Sequence, residues 1–326
     1  MLVLNHQDVL SALPPAACAE AMAAGLAARA RGEAAMPLRT VWGPPGAPGL
    51  MGLMPAWHPG AFALKAICVM PGNPPRGLDA HQGVVVLFDG DTGVPAALLD
   101  ASAITEVRTA AVSAVATRVL ARDDARVLAI LGAGVQARAH LRALPEVRPF
   151  ESVRVYSRTP AHAEALAAQA GRDSRRGVGV VVAASAEAAV RGADVVVTAT
   201  TSREPVLRRE WLAPGAHVNA VGASTPDARE LDVETVAAGA LFVDSRESLR
   251  AEAGEFRLAV AEGVITGEDH VRAELGEVLT GSRDGRRDAG ELTLFRSLGL
   301  AVEDLAAAEA AVDAARRLGH GREVEL

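Results

Sequence analysis

Three groups of residues in this chain combine types and spacings that could do chemistry. The first is Gly132, Gly134 and Ala137, a G-x-G-x-x-A that directly follows the apolar run at 127–131. An apolar strand that runs into a glycine turn and then a helix offers free backbone N–H groups and the positive end of a helix dipole, which suits a diphosphate. Gly132 would permit the tight turn, Gly134 would let the diphosphate approach the backbone, and Ala137 would keep helix and strand close. The motif alone is a weak signal. Residues 152–157 strengthen it by supplying a second strand roughly twenty residues on, as a dinucleotide fingerprint requires.

The second group closes that strand. An NAD site places Asp or Glu there to accept hydrogen bonds from the ribose hydroxyls. This chain has Ser157, Arg158 and Thr159 instead. A guanidinium flanked by two hydroxyls suits a 2′-phosphate. NADP(H) is therefore the expected cofactor, with NAD(H) the alternative if Arg158 is only a solvated surface arginine.

The third group is cationic. Lys65 sits in Phe62-Ala63-Leu64-Lys65-Ala66-Ile67-Cys68-Val69. Strand alternation puts it on one face with Ala63, Ile67 and Val69, while the opposite face is also apolar. A lysine on a strand buried on both faces needs an anionic partner, because desolvating an ammonium is costly; the alternative is a lysine reaching out from a sheet edge. Arg108 has Ile104, Ala111 and Val112 as its helical neighbours, so it is either paired to an internal acid or waiting for a ligand. Arg39 precedes a strand that could neighbour Lys65. Three cations with no matching acidic cluster suggest a site for a carboxylate substrate, the arginine fork matching two oxygens and the lysine adding a point charge. Ser102 reads as a helix N-cap, and no nucleophile elbow is present.

The elements that must position these residues fall into two parts. With 326 residues the chain can bury a sizeable core, and this length suggests about two domains. The segment Arg122-Asp123-Asp124-Ala125-Arg126 is the expected junction. Residues 122–299 alternate strands and helices, with continuous β-branched runs at 178–183 and 194–198 and further strands at 217–221 and 241–244. That pattern predicts an α/β, Rossmann-type doubly wound parallel sheet covered on both faces. Residues 1–121 with 300–326 are expected to form an α+β substrate-binding and dimerisation domain. Its helices are expected at 8–31, broken near its start by Pro14-Pro15, at 103–121 and at 302–318, and its strands at 52–54, 61–70 and 83–89.

Composition excludes several function classes. The net charge is −7, which argues against nucleic acid as the main partner. Basic clusters such as Arg172-Asp173-Ser174-Arg175-Arg176 are interrupted by acids and read as solvated loops. Two cysteines, Cys18 and Cys68, form no disulfide framework and fit a reducing cytoplasm. The start, Met1-Leu2-Val3-Leu4-Asn5, lacks the basic and apolar regions of a signal peptide, so none is expected, and no apolar run approaches the length of a membrane span. The eight histidines are scattered, without the close pairs of zinc sites, so no metal is expected.

An ordered set of segments carries a family resemblance. It comprises Phe62-Ala63-Leu64-Lys65, Glu106-Val107-Arg108-Thr109-Ala110-Ala111, Leu131-Gly132-Ala133-Gly134-Val135-Gln136-Ala137 and Asn219-Ala220-Val221-Gly222-Ala223-Ser224. Pro226-Asp227-Ala228-Arg229-Glu230-Leu231-Asp232 and Thr293-Leu294-Phe295-Arg296-Ser297-Leu298-Gly299 complete it. Together they resemble the ornithine cyclodeaminase/mu-crystallin family along nearly the whole chain. The resemblance implies a homodimer, with Arg39, Lys65 and Arg108 gripping the substrate carboxylate, Arg108 beside the cofactor as well, and Leu298 near the substrate. It also implies Val135 and Gln136 at the diphosphate, Ser157, Arg158 and Thr159 at the adenosine ribose, and Thr200 along the cofactor. Val221, Gly222, Ser224 and Ser297 would lie near the nicotinamide.

Two departures separate this chain from the deaminating branch, whose members carry an aspartate where Ser224 stands and a glutamate where Gly52 stands. Asp227 aligns elsewhere and does not inherit the role. Gly52, Ser224 and the Ser157-Arg158-Thr159 end of the second strand resemble the mu-crystallin branch, the ketimine reductases. The expected function is NAD(P)H-dependent reduction of α-imino acids of the Δ1-pyrroline-2-carboxylate or Δ1-piperideine-2-carboxylate type, with Lys65 as the candidate proton donor. An alanine dehydrogenase-like amino-acid dehydrogenase, an ornithine cyclodeaminase and a non-catalytic, crystallin-like ligand or NADP store remain the alternatives.

Overall fold

A computed structural model describes residues 1–173 and 179–325, the side chains of residues 171–173 apart. The side chains of the basic cluster at 172–176, and Val178, lie outside the described residues. The chain divides into two compact units, Met1–Arg108 with Gly299–Leu326, and Thr109–Leu298. The division falls inside one helix, Ala101–Leu120, rather than at residues 122–126. The reason is in the packing: Ala110, Ala114, Ala121 and Ala125 belong to the same hydrophobic cluster as Leu128 and Ile130 of the second unit.

The first unit is built on a seven-stranded mixed sheet. In chain order its strands are β1 (Leu2–Leu4), β2 (Thr40–Trp42), β3 (Leu50–His58), β4 (Ala61–Val69), β5 (His81–Asp89) and β6 (Pro95–Asp100), with a short C-terminal strand Arg322–Glu323. β2 to β6 pair antiparallel in sequence order, β1 runs parallel to β6, and the C-terminal strand closes that edge. The helix expected at 8–31 is two helices, His6–Ala12 and Pro15–Ala30. Proline starts the second without loss, since the N–H at that position has no helical partner.

Helix Ala301–Leu318 packs on Pro15–Ala30 and on β3, β4 and β5. It has Glu303 and Asp304 in its first turn, Arg316 and Arg317 in its last, and Gly319 at φ +69° as its cap; these complement the dipole and close the helix with a left-handed residue. Only one face of the sheet is covered in this way. Ala61, Ala63 and Lys65 of β4 are buried on it, whereas Phe62, Trp57 and Trp42 on the other face are 47%, 37% and 63% exposed. The expectation that the Lys65 strand is buried on both faces is therefore corrected: among the described residues it is covered on one.

The second unit holds an eight-stranded, all-parallel sheet. Its strands are β7 (Val127–Leu131), β8 (Ser152–Tyr156), β9 (Val180–Val182), β10 (Val195–Thr198), β11 (His217–Ala220), β12 (Ala240–Val243), β13 (Val271–Glu274) and β14 (Thr293–Arg296), in spatial order β13-β12-β14-β11-β10-β7-β8-β9. Alternation along each strand feeds two separate cores. Leu128, Ile130, Val153, Val155, Val195 and Val197 enter one, and Ala129, Leu131, Val196, Val218 and Ala220 enter the other. Burial on both faces explains the continuous apolar runs. Among the described residues, no single helix is long and apolar enough to cross a membrane. The pair His6–Ala12 and Pro15–Ala30 reaches that length and apolarity together, but bends by 84°, and Cys18, Ala19, Met22 and Leu26 are buried.

Candidate active site

In the second unit the glycine turn has the geometry of a diphosphate cradle. Gly132 follows β7 at φ +122°, and a Cβ there would lie 2.3 Å from the Ala199 carbonyl oxygen. Its N–H donates to Tyr156 O at 2.8 Å, tying the turn to the end of β8. Gly134 caps helix Val135–Ala143 in extended conformation without a side-chain hydrogen bond to the helix, which leaves N–H groups of the first turn for a ligand. A Cβ on Gly134 would meet nothing within 4 Å, so the approach is open. Val135 is exposed, while Ala137 is fully buried where helix meets strand. These features fit a dinucleotide's diphosphate. At the end of β8, Thr159 N–H donates to Ser157 Oγ at 3.3 Å, and Arg158 and Thr159 are exposed.

The other cofactor positions named from the sequence cluster at the carboxyl ends of β10, β11 and β14, where ligands sit in open parallel sheets. Thr200 and Gly222 both donate to Glu230, which is buried. Val221 is half-buried and Ser224 exposed. Ser297 N–H donates to Ala220 O at 3.0 Å, and Leu298 N–H donates to Asp244 Oδ2 at 2.6 Å. Between them the Arg296 guanidinium is buried, donating to Ala220 O at 3.1 Å, to Ser297 O at 2.8 Å and to Ala223 O, with Glu255 Oε1 2.5 Å from its Nε. Burial pushes the His140 imidazole of the cradle helix down to about 4. Its hydrogen bonds to Gln136 O and Ser113 Oγ make it a neutral core group.

In the first unit two of the three cations, Lys65 and Arg108, meet acids that the sequence reading missed. Lys65 Nζ donates to Asp304 Oδ1 at 3.0 Å, Arg108 Nε to the same oxygen at 3.2 Å, and Arg108 Nη1 to Glu303 Oε2 at 3.0 Å. All four side chains are buried. The premise of cations without matching acids is corrected accordingly: Glu303 and Asp304 stand side by side in the first turn of one helix. Asp304 Oδ2 is buried with no hydrogen-bond partner among the described residues. Arg39 Nη2 donates to Gly299 O at 2.7 Å. Gly299 has φ +81°, and a Cβ there would lie 2.5 Å from Arg108 Nη1, so glycine alone lets the chain pass so close to the guanidinium.

Electrostatics sharpen this cluster. Burial lowers Lys65 to about 8; Arg108 and Arg39 add to that, and Asp304 opposes it. Desolvation and the charges of Lys65 and Arg108 also lower His81, which pairs with Val69 and so shares the Lys65 face. Cys18 is pushed up to about 12 by burial, an inert thiol. Ser102 is not the helix cap: its hydroxyl donates to His81 O, and Asp100 Oδ1 accepts from Ala103 N at 2.7 Å instead. Among the described residues, no group of three or more His, Cys, Asp or Glu side chains could hold a metal ion.

Asp304 had a signal in the sequence. It lies three, four and seven residues before Ala307, Ala308 and Ala311, all buried, and an acid on that stripe must have a partner. Glu230 had none beyond its place in the Arg229-Glu230-Leu231 motif.

The profile of the ornithine cyclodeaminase/mu-crystallin family matches residues 1–318. Ketimine reductase mu-crystallin of Mus musculus is 42% identical over 284 residues, covering 86% of each chain. The structure of Thermococcus litoralis Δ1-pyrroline-2-carboxylate reductase, in complex with NADH and L-proline, superposes with a TM-score of 0.95 at 38% identity, covering 99% of this chain and 100% of that one. An archaeal alanine dehydrogenase dimer with bound NAD superposes at 0.93 with 35% identity, covering 100% and 99%. By its match over nearly its full length, this chain belongs to the ornithine cyclodeaminase/mu-crystallin family.

Proposed function

We propose that this protein reduces cyclic or linear α-imino acids with NADPH, taking Δ1-pyrroline-2-carboxylate and Δ1-piperideine-2-carboxylate to proline and pipecolate. NAD(P)-dependent oxidoreduction at imine bonds is the activity it shares with its relatives; the substrate and the cofactor's 2′-phosphate are the further steps. The observation that carries the substrate is the buried Lys65–Asp304–Arg108 cluster beside a β-strand position, Gly52, that lacks a carboxylate. Gly52 pairs with Ile67 and so lies on the Lys65 face. Where a deaminase would present a general base, the Gly52 position presents only a backbone.

Arg39, Lys65 and Arg108 are the groups proposed to receive the substrate carboxylate. Asp304 keeps the two buried cations at a fixed spacing, so little side-chain freedom is lost when the anion arrives. The dinucleotide, when bound, supplies the hydride for the C=N carbon. The nitrogen must gain or retain a proton, and the Lys65 ammonium is the group proposed to supply or stabilise it. Ser224, exposed and uncharged, adds no carboxylate for deamination. Arg158 after β8 supports NADPH over NADH.

The open apolar face of the first unit's sheet supports a homodimer, and the archaeal alanine dehydrogenase relative is itself a dimer. Two free cysteines fit a cytoplasmic protein. The test is NADPH and NADH oxidation over a panel of cyclic imino acids. Ammonia release from ornithine without imine turnover would replace this reading with the cyclodeaminase. The similarity to alanine dehydrogenase favours a second reading, reductive amination of a keto acid, which ammonia-dependent NADPH oxidation with pyruvate would reveal.

A further inference from the structure

We infer that Glu230 is a positioning residue for the nicotinamide half of the cofactor, its carboxylate fixing the loops after β10 and β11 against each other. The inference rests on the proposal that Thr200, Val221 and Gly222 line the cofactor. The β10–β11 ladder ends at Thr198 and Ala220. Beyond it, neighbouring loops of a parallel sheet have no strand pairing to hold them together. Glu230 supplies the tie, fully buried. Its Oε2 accepts from Thr198 Oγ1 at 2.8 Å and from Gly222 N at 2.6 Å. Its Oε1 accepts from Thr200 N and Thr200 Oγ1, both at 2.7 Å.

Four donors on two oxygens are what an ionised, acceptor-only carboxylate can take. Burial pushes the Glu230 carboxyl upward, and the hydrogen bonds of Thr200 and Thr198 together with the charge of Arg296 work against that rise. The main chain of Glu230 is held as well, since the N–H groups of Val206 and Leu207 donate to its backbone carbonyl at 2.8 and 3.0 Å. The two loops meet closely: a Cβ on Gly222 would fall 2.1 Å from Thr200 O and 2.6 Å from Glu230 Oε1. A shift of either loop therefore moves the other.

The arrangement sets a strict requirement on the acid. Each oxygen receives one backbone N–H, and a backbone N–H cannot rotate as a hydroxyl can. In Glu230→Gln the side-chain NH2 must face either Thr200 N or Gly222 N, and whichever it faces loses its acceptor. One loop is then released, while the diphosphate cradle at Gly132–Gly134 and the Ser157–Thr159 ribose site carry no bond to Glu230.

The experiment compares two ligands on wild type and Glu230→Gln by titration calorimetry. One is the whole oxidised cofactor that the wild type binds, NADP+ or NAD+; the other is the matching fragment without nicotinamide, 2′-phospho-ADP-ribose or ADP-ribose. The expected result is a fragment Kd changed by less than about twofold and a whole-cofactor Kd weakened about tenfold, the scale of losing one hydrogen bond to a charged group. Equal losses for both ligands, or no loss for either, would overturn the inference. Should Glu230→Gln not fold, Thr198→Val removes one donor from the same carboxylate, and the same split, smaller, is expected and the same equal losses count against it. Neither arm uses an imine, so failure of the substrate proposal leaves this result standing; a wild type that binds neither ligand would instead sink the cofactor proposal and this inference with it.

Discussion

Lys65 Nζ lies 3.0 Å from Asp304 Oδ1, and the two side chains are 2% and 1% exposed. The same oxygen takes Arg108 Nε at 3.2 Å, so one carboxylate bridges two cations proposed to meet the substrate. A buried pair of this kind adds little net stability, but removing one partner leaves an uncompensated charge. Asp304→Ala is expected to lower unfolding free energy by about 3–5 kcal/mol, measured by denaturant unfolding. The double variant Lys65→Met, Asp304→Leu should recover to within about 1 kcal/mol of wild type, because Arg108 keeps Glu303, yet remain inactive on imines. Recovered activity in the double variant would show that the cluster is structural only.

The pH dependence follows from the same lysine. Burial holds Lys65 at about 8, and the charged or titratable groups acting on it and its face are Asp304, Arg108, Arg39 and His81. A lysine's charge is present below its pKa and lost above it. The profile of kcat/KM reports the free enzyme, so it should fall about tenfold per pH unit above a midpoint of about 8. His81, lowered from its ordinary value, is neutral there and adds no limb. Lys65→Arg keeps a charge that does not titrate in this range, and the alkaline limb should disappear. A limb that persists in Lys65→Arg would assign the titration to another group.

The parts of the molecule that local rules govern were legible in the sequence. Gly132, Gly134 and Ala137 stand within one turn of one another, and their strand, turn and helix follow from φ freedom and apolar runs alone. Strand Val195–Thr198 was visible because burial on both faces leaves a continuous β-branched stretch. Long-range partners were not. Asp304 lies 239 residues from Lys65, and its place on the alanine stripe of its helix shows that it needs a partner but not which one. Leu2–Leu4 and Thr40–Trp42 are three residues each, too short for periodicity to register. Phe62 and its neighbours said that a face must be covered but not by what, which is why the Lys65 strand was expected to be enclosed on both sides.

Arg158 provides a direct test of the cofactor. Exposed after β8, it can give a bidentate bond to a 2′-phosphate. Arg158→Asp removes that bond and places a carboxylate where the ribose hydroxyls of NADH would be. The ratio of kcat/KM for NADPH over NADH should fall by roughly 10–100-fold, the value of hydrogen bonds between charged groups. A wild type that already prefers NADH would remove the role proposed for Arg158.

The exposed face of the first unit's sheet leads to the last prediction. Trp42 pairs with Met51, Met51 with Cys68, and Trp57 with Phe62, so these side chains lie on one face of β2, β3 and β4. Trp57 and Phe62 are in ring contact, with centroids 6.3 Å apart. Apolar patches of this kind mark association sites, and aromatic residues near their centre carry most of the binding energy. Sedimentation of the wild type should give twice the chain mass of 33.6 kDa. Phe62→Glu would desolvate a charge on association, which shifts the equilibrium towards monomer, while its side chain, already 47% exposed, costs the fold of the single chain little. The second unit, proposed to bind the nucleotide, carries none of this face, so cofactor affinity should survive in the Phe62→Glu monomer. A wild type that sediments as a monomer, or a Phe62→Glu variant that remains dimeric, would assign the face to another role.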